Sequence, residues 1–250
     1  MLQKMYFIQH PLQSYYSCPF SYFCKYVLRI EKNEDGKVTP IDVGNIMHAT
    51  LSEFLLLEEK EPIKENVLKI VSAHLEQNPR ATIEANKAVV ERLKIEAEKV
   101  CALAYAQICK GKYRVKSCEI PFGKSENELK TVTFNGKNGD VKLVGAIDRI
   151  DEWENRARVI DYKTGSSGKF SFSDVYYGVK LQLPLYMSVA INNGYKAGGF
   201  FYFPFASSWS EEESACKLSG VYEDSDENVL AMETGSLSNG ATIFDMPISK

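Results

Sequence analysis

The 250-residue sequence lacks several features that would restrict its class. It contains no run of about 18 apolar residues, so no membrane-spanning helix is predicted, and its start lacks the charged, apolar and small-residue sections of a signal peptide. The six cysteines are scattered and include no Cys-x-x-Cys pair, in a chain without a secretory signal. We therefore expect a cytoplasmic protein with reduced thiols and no membrane partner.

A large excess of charge is also missing. The formal net charge is -3 and the pI is near 5.8, so the chain as a whole does not attract a polyanion, and any contact with nucleic acid must be local. No Gly-x-x-x-x-Gly-Lys-Ser/Thr motif occurs, which places any ATP-driven motor elsewhere or in a partner. With 44% hydrophobic and 25% charged residues, the composition is that of a globular protein with a sizeable core.

The sequence pattern changes from helical to extended near residue 113. Before this point apolar residues recur at helical spacing, and after it alternation and β-branched residues predict strands. The predicted helices are 14–30 (two short ones), 43–56, 63–76, 80–110 and 179–192. The predicted strands are 113–122, 129–134, 141–150, 156–162, 197–204 and a last one near 217–222.

This order predicts an α/β (α+β) fold in one domain over residues 1–250. Residues 1–112 form a mainly helical part that carries His48. Residues 113–205 form a catalytic β-meander with a helix and the last core strand, and residues 206–250 form an acidic, irregular tail that is expected to be shortened.

Two predicted strands place charged side chains in line with core residues. Residues 145–151 contain Asp148, and residues 159–165 contain Asp161 and Lys163, which alternation puts on otherwise apolar faces. Two carboxylates close together repel each other unless a cation lies between them, and a nearby ammonium suits an anionic nucleophile. The hairpin thus indicates a metal-dependent hydrolase. From spacing alone, a surface Asp161–Lys163 pair is an equally weighted alternative.

Four further residues are candidates for the same site. His48 lies on a mainly apolar helix and Glu119 interrupts a strand, so each is either a metal ligand or a residue with a packing or surface role. Gln182 and Tyr186 lie one helical turn apart. An amide and a phenol can hydrogen-bond phosphate oxygens or hold a catalytic lysine, although Tyr186 in the core with Gln182 at its edge is the alternative.

In chain order, five motifs resemble the RecB-type branch of the PD-(D/E)XK nuclease superfamily over residues 9–222. They are Gly44-x-x-x-His48, Glu119, Gly145-x-x-Asp148-Arg149-x-Asp151, Asp161-Tyr162-Lys163-Thr164-Gly165 and Gln182-x-x-x-Tyr186. Residues 15–23 and 198–203 look most like the C-terminal nuclease domains of the AddB type, from bacterial helicase-nucleases. The resemblance implies a restriction-endonuclease-like core, with a central mixed sheet flanked by helices and preceded by a helical region.

The resemblance also implies a division of roles among the candidate residues. The implied metal ligands are His48, Asp148, Asp161 and the backbone carbonyl of Tyr162, with Glu119 as a further candidate. Lys163 would position or activate the attacking water, while Gln182 and Tyr186 would support Lys163 and the DNA strand. The implied catalytic set is Asp148, Asp161, Lys163, Gln182 and Tyr186, with Mg²⁺ or Mn²⁺ as the cofactor.

The expected activity is that of a metal-dependent DNA exonuclease. It would cut single-stranded ends that a helicase delivers, beside an AddA-like partner, in double-strand break processing and recombinational repair. The alternative is a nuclease-like module that grips DNA without cutting it; in that case binding would depend on phosphate contacts and fall with salt.

The sequence departs from the family pattern at two points. Ile147 stands where the superfamily name has proline. AddB-type domains usually carry a four-cysteine 4Fe-4S cluster; Cys18 matches one ligand, but only Cys216 lies beyond Cys118. A cluster is therefore not expected here, although the parent of a shortened chain could hold one. Otherwise Cys18 would be a buried thiol beside Pro19 and Phe20.

Overall fold

The computed structural model describes residues 5–8, 14–30, 36–126, 128–136, 139–164, 168–205 and 217–245. Helices dominate the chain before residue 110, and strands dominate it afterwards. Residues 14–17 are helical, and helix α1 (Pro19–Tyr22) continues into a π-helical turn over Phe23–Val27. The other helices are α2 (Pro40–Leu56), α3 (Ile63–Glu76), α4 (Lys87–Cys109), α5 (Phe172–Tyr176), α6 (Gln182–Asn192), α7 (Asp226–Met232) and α8 (Ser236–Asn239).

The described strands form one seven-stranded mixed sheet. They are β1 (Met5–Ile8), β2 (Arg114–Phe122), β3 (Thr133–Gly136), β4 (Gly139–Trp153), β5 (Arg156–Thr164), β6 (Lys196–Phe205) and β7 (Ser219–Tyr222). The main order is β1-β4-β5-β6-β7, and the long strand β4 also pairs with β2 and β3. The β1–β4 and β5–β6 pairs are parallel and the others are antiparallel, so the expected mixed sheet is confirmed.

Helices cover both faces of the sheet. Helices α2, α3 and α4 share one hydrophobic core with Ile160 and Tyr162 of β5 and with Phe201 and Phe203 of β6. Helix α6 packs on the other face, where its apolar residues form a second core with side chains such as Ile147 and Val159. Strand β5 is therefore covered on both faces, so its charged residues Arg158 and Asp161 are buried together with its apolar ones.

Helix α2 begins at a capping box. The Thr39 hydroxyl accepts a hydrogen bond from the Asp42 backbone N–H (3.1 Å), and the Asp42 carboxylate accepts one from the Thr39 N–H (2.9 Å). Pro40 at the first helical position adds a fixed φ angle, and Arg80 bonds the Asp42 carboxylate at 2.9 Å. These contacts fix the start of the helix that carries His48 in its third turn.

A tight hairpin joins β4 to β5. Its two turn residues, Glu154 and Asn155, both have positive φ (46° and 63°), as in type I′ turns, which match the twist of the flanking strands. Trp153 pairs with Arg156 directly after the turn, and the register continues to Arg149 opposite Ile160. The hairpin predicted from the sequence is thus present.

Three predicted segments were placed wrongly at their boundaries. The helix expected over 80–110 begins only at Lys87, because the Asn86 side chain donates to the carbonyls of Gly36 and Arg80 and holds the preceding residues in turns. The helix expected from 179 begins at Gln182, since the N–H groups of Val179 and Lys180 both bond the Asp174 carbonyl.

The strand expected over 129–134 lies at Thr133–Gly136 instead, because side chains at the end of α6 bond the backbone of residues 130 and 131. Residues 217–245, expected to be irregular apart from one strand, contain α7 and α8 as well. Ser225 caps α7, and Val229 and Met232 anchor it in the first core. In the parts of the chain described above, no helix has the length and apolar character needed to cross a membrane.

Candidate metal centre

Three predicted ligands converge where α2 meets β2 and β4. The His48 Nδ1 atom lies 3.5 Å from Asp148 Oδ2 and 3.7 Å from Glu119 Oε1. One ligand atom from each residue lies within 4.8 Å of the other two. The sequence separates these residues by as many as 100 positions, so the fold brings them together.

Glu119 owes its position to an unusual backbone. Its φ angle is +49°, which is uncommon for a residue with a side chain, within a strand whose register with β4 runs regularly from Ser117 to Phe122. That register puts Glu119 opposite Asp148. Backbone strain of this kind is found at functional sites, and here it occurs at the residue whose carboxylate faces His48.

Asp148 is buried and hydrogen-bonded. Its Oδ2 atom accepts a hydrogen bond from the backbone N–H of Tyr162 at 2.8 Å, across the β4–β5 hairpin. Burial and then repulsion from Asp161 raise the pKa of Asp148 to about 7, although His48 and the Tyr162 N–H act in the opposite direction. A carboxylate in this situation is well suited to a cation, which would remove the repulsion.

Asp161, Lys163, Gln182 and Tyr186 form a connected row beside these ligands. The Lys163 Nζ atom lies 2.6 Å from Asp161 Oδ2 and donates to Gln182 Oε1 at 2.7 Å. The Gln182 amide in turn donates to the Tyr186 hydroxyl at 3.1 Å. Asp161 is buried, so the alternative of an Asp161–Lys163 pair on the surface is wrong.

The imidazole of His48 is held between charge and an aromatic ring. Burial alone would lower the pKa of His48, but the carboxylates of Glu119, Asp148 and Asp161 outweigh it and raise this pKa. The ring of Tyr162 meets the imidazole edge-on, with 5.4 Å between the ring centres. His48 therefore shares its surroundings with the three acidic candidates rather than serving only as packing.

Packing explains why a glycine occupies position 145 of the Gly-x-x-Asp motif. A Cβ atom at this position would lie 2.9 Å from the Phe122 ring, which packs edge-on against Tyr186 at 5.8 Å between ring centres. A side chain at residue 145 would push Phe122 into the helix that carries Gln182. At Gly44, by contrast, a Cβ atom would meet nothing within 4 Å, so α2 leaves open space one turn before His48.

The sequence did not reveal a buried ion cluster behind the site. Asp151 accepts hydrogen bonds from Arg149 (2.7 Å to each oxygen) and from Arg158 (2.7 and 3.0 Å), and all three side chains are buried. Burial by itself would raise the pKa of Asp151, but the two guanidinium groups outweigh it and hold this pKa below its usual value. Arg149 and Asp151 belong to a motif that the sequence shows, whereas no sequence pattern indicated that Arg158 joins them.

The cluster connects the metal candidates with the C-terminal helices. Burial raises the pKa of Tyr162, while the Arg149 guanidinium interacts with its hydroxyl and acts in the opposite direction. On the other side, Arg158 lies 4.9 Å from the centre of the Tyr113 ring, whose hydroxyl donates to Asn228 of α7 at 2.7 Å. Polar contacts thus extend from residue 228 to the strand that carries Asp161.

The structure places Cys18 differently from the sequence-based expectation. Cys18 is exposed and its Sγ atom accepts a hydrogen bond from the Ser21 N–H at the start of α1, so it is not the buried thiol considered above. Cys216 and Gly165 lie outside the residues that the structure describes. The converging group of His48, Glu119 and Asp148 contains no cysteine.

The donor set fits a divalent cation. An imidazole nitrogen and carboxylate oxygens are the ligands that Mn²⁺ accepts, and carboxylates are those that Mg²⁺ prefers. Burial first, and then the charge of Asp161, raises the pKa of Asp148, and a cation beside the two carboxylates would relieve their repulsion.

Comparisons with known proteins point to the same chemistry. The family model described as the PD-(D/E)XK nuclease superfamily matches residues 9–237. Among curated proteins, the chain is similar to a subunit of the ATP-dependent helicase/deoxyribonuclease of Clostridium novyi (strain NT), with 31% identity over 208 residues, or 76% of this chain. The corresponding protein of Natranaerobius thermophilus is 34% identical over 215 residues, or 77% of this chain. The chain spans 18% of the length of each of these relatives.

Proposed function

The chain belongs to the PD-(D/E)XK nuclease superfamily, and from that membership we propose that it is a metal-dependent DNA nuclease that hydrolyses phosphodiester bonds. The observation that carries the proposal is the convergence of His48, Glu119 and Asp148 beside the Asp161–Lys163 pair. These residues supply metal-binding oxygens and nitrogen on one side and a fixed ammonium on the other.

We assign the metal to His48, Asp148, Asp161 and the backbone carbonyl of Tyr162, with Glu119 as an additional ligand. Mg²⁺ or Mn²⁺ in this position would acidify a water molecule and neutralise charge that develops on the phosphate. Asp148 is kept in place by the Tyr162 N–H, so the hairpin register holds two of the assigned ligands together.

Lys163 is assigned the task of orienting the attacking water. Its ammonium is fixed between the Asp161 carboxylate and the Gln182 amide, and the centre of the Tyr202 ring lies 5.5 Å from Nζ. A donor that is already oriented stabilises developing negative charge without reorganising during the reaction. Tyr186 keeps the Gln182 amide aligned, because its hydroxyl accepts from Nε2 while the carbonyl oxygen faces Lys163.

The substrate that we propose is the end of a single DNA strand. A Cβ atom at Gly44, one turn before His48, would meet nothing within 4 Å, so the surface of α2 is open at this point. Two of the relatives are named as subunits of ATP-dependent helicase/deoxyribonucleases. On this basis we propose exonuclease action on strands delivered by an AddA-like partner, in double-strand break processing and recombinational repair.

The test is cleavage of a labelled single-stranded oligonucleotide with Mg²⁺ or Mn²⁺ and with EDTA. Asp161→Asn and Lys163→Ala should each lower the cleavage rate by at least about a hundredfold, since each removes a charge from the site. Lys116→Ala is the matched control, because Lys116 also pairs with a carboxylate, Glu152, but at an exposed site on β2.

Circular dichroism should show that all the variants remain folded. A wild-type rate in either site variant would rule out the assigned roles. If the wild-type chain binds the oligonucleotide but cleaves it no faster with metal than with EDTA, the non-cleaving DNA-binding module is the correct description.

A further inference from the structure

A second polar site lies beyond the end of β2. It is a cleft of about 440 Å³ in the segment between β2 and β4, and it contains none of the residues assigned to the metal. Its charged lining consists of Lys124, Lys130, Lys142, Glu126 and Glu128, and three hydroxyl groups lie between them. We refer to it as the lysine cleft.

The backbone that carries the lysine cleft is held by the end of α6. The Asn193 side chain donates to the Lys130 carbonyl at 2.8 Å and accepts from the Lys130 N–H at 2.9 Å. Asn192 donates to the carbonyl of Thr131 at 3.0 Å, and the Thr131 hydroxyl donates to the Leu143 carbonyl at 2.6 Å. Lys130 therefore projects from a backbone that is held by the end of α6 and, through Thr131, by β4.

The lengths of helix α6 and strand β4 indicate how far this cleft lies from the proposed metal site. Helix α6 starts at Gln182, which holds Lys163, and its 11 residues rise by about 16 Å before Asn192 holds the cleft. Along β4, Lys142 and Asp148 are six residues apart, which corresponds to about 20 Å. These lengths correspond to about five or six nucleotides of a stacked strand.

The charge of the cleft complements a phosphate backbone. The proposed metal site is acidic and the whole chain has a net charge of -3, so attraction to DNA must come from local groups. The cleft offers three ammonium groups against two carboxylates. One of these carboxylates, that of Glu128, already accepts a hydrogen bond from the Lys124 backbone N–H at 2.8 Å, which ties it to its own loop.

We propose that the lysine cleft binds backbone phosphates of the DNA strand several nucleotides away from the bond that is cut. This inference rests on the proposed nuclease function, because it extends the path of the same substrate. Lysine suits the task, since its ammonium is a compact charge on a flexible stem that tolerates any base sequence.

The test compares the full 250-residue chain with a triple variant, Lys124→Ala, Lys130→Ala and Lys142→Ala. Its affinity for a labelled single strand of about 20 nucleotides in EDTA should fall at least about tenfold at low salt. The slope of log affinity against log salt should become shallower by about 2, since each phosphate contact contributes about 0.7. Cleavage of a trinucleotide with Mg²⁺, which is too short to reach the cleft, should stay unchanged.

The control is a second triple variant, Lys64→Ala, Lys69→Ala and Lys87→Ala, which removes the same charge from exposed positions on α3 and α4. If the cleft variant matches this control in affinity and salt slope, the inference is wrong even if the wild type cleaves DNA. If the wild type cleaves neither the trinucleotide nor the longer strand with Mg²⁺ while the cleft variant alone loses affinity, the nuclease function fails and the cleft stands as a DNA site.

Discussion

Single residues set the charge balance of the proposed centre, and Glu119 shows this most clearly. Its left-handed backbone places a carboxylate against His48, in the part of β2 that follows a register shift between Val115 and Ser117. Glycine would adopt this conformation at lower cost, so a side chain is retained here at the expense of stability. The carboxylate is the feature that offsets this strain, because it contributes to the charge that raises the pKa of His48.

Replacing Glu119 by glutamine should therefore lower the pKa of His48 in the metal-free protein. The Glu119 carboxylate favours the protonated imidazole, and an amide of the same shape does not. The measurement is an NMR titration of the histidine ring signals in the presence of EDTA. Glu65→Gln on the exposed side of α3 serves as the control and should leave the signal in place. An unchanged His48 titration in Glu119→Gln would contradict the assigned contact.

Asp42, in the first turn of α2, provides a pH-dependent contribution to stability. Burial alone would raise its pKa, but hydrogen bonds from Thr39 and Arg80 lower it to about 2. A carboxylate whose pKa is lower in the folded state than in the unfolded state stabilises the fold at pH values above its unfolded-state pKa. This stabilisation is lost as the pH falls through the folded-state pKa. The free energy of unfolding of the wild type should thus exceed that of Asp42→Asn by about 2 kcal/mol above about pH 5. This difference should shrink as the pH is lowered towards about pH 2.

Urea titrations at several pH values measure this difference. Asp226→Asn, in the first turn of α7, makes a suitable comparison, because its carboxylate also lies at a helix start but has no arginine partner in the described contacts. A difference for Asp42 that does not vary between about pH 2 and about pH 6 would show that the Thr39 and Arg80 contacts do not favour the charged form.

At the scale of elements, the β4–β5 hairpin combines the proposed ligands with the buried Arg149–Asp151–Arg158 cluster. Both arginines need Asp151, because a buried guanidinium without a counter-charge is costly. The cluster lies directly behind Tyr162, whose N–H fixes Asp148 and whose ring meets His48. The hairpin is therefore stabilised by the same side chains that orient it towards α2.

Asp151→Asn should destabilise the protein by about 3–5 kcal/mol, because it leaves two buried cations with one neutral partner. Asp140→Asn is the matched control: Asp140 lies in the same strand but is exposed, so a change within about 0.5 kcal/mol is expected. Urea denaturation measures both values. Equal midpoints for the two variants would show that the cluster does not support the fold.

The triple variant Arg149→Met, Asp151→Leu and Arg158→Met separates the cluster's contribution to fold stability from its role in positioning Tyr162 and the proposed metal ligands. Apolar residues of similar size can replace a buried ion cluster with little loss of stability. Tyr162 would nevertheless lose its charged neighbour, so Mn²⁺ affinity measured by calorimetry should remain about tenfold below wild type. Full recovery of both stability and affinity would show that the cluster has no positioning role.

At the scale of the whole molecule, a bound cation should couple the helical half of the chain to the sheet. His48 belongs to α2, whereas Glu119 and Asp148 belong to β2 and β4, so a shared ion would tie these elements together. Any ligand that binds only the folded state stabilises it by mass action. Metal binding should therefore raise the free energy of unfolding, whether or not the chain cleaves DNA.

Mn²⁺ at about 100 times its Kd should stabilise the protein by about 2.7 kcal/mol and raise its Tm by about 5–10 °C relative to EDTA. Asp148→Asn should lose most of this shift, since it removes a charged ligand, whereas Asp140→Asn should keep it. Differential scanning calorimetry provides the measurement. A shift of equal size in Asp148→Asn would place the cation elsewhere.

Much of this architecture was predictable from local patterns, and the remainder depends on contacts between distant residues. Helix α3 was predicted at its observed bounds because its apolar residues recur at helical spacing. The start of α4 was misplaced, since Asn86 bonds the Gly36 carbonyl 50 positions away. The metal candidates were recognised through motif order, whereas Arg158 was missed, because an arginine in a strand normally indicates an exposed face.

The turn of Glu154 and Asn155 has a consequence for which sequence changes this protein can tolerate. Side chains alternate along both strands, so adding or deleting one residue in the turn would shift the pairing of β5 against β4 by one position. Asp161 and Lys163 would then exchange faces with Tyr162, and strands of unchanged composition would present the wrong groups to α2 and α6. Lineages that keep the chemistry should thus conserve the length of this turn more strictly than its residues, even though no catalytic group lies in it.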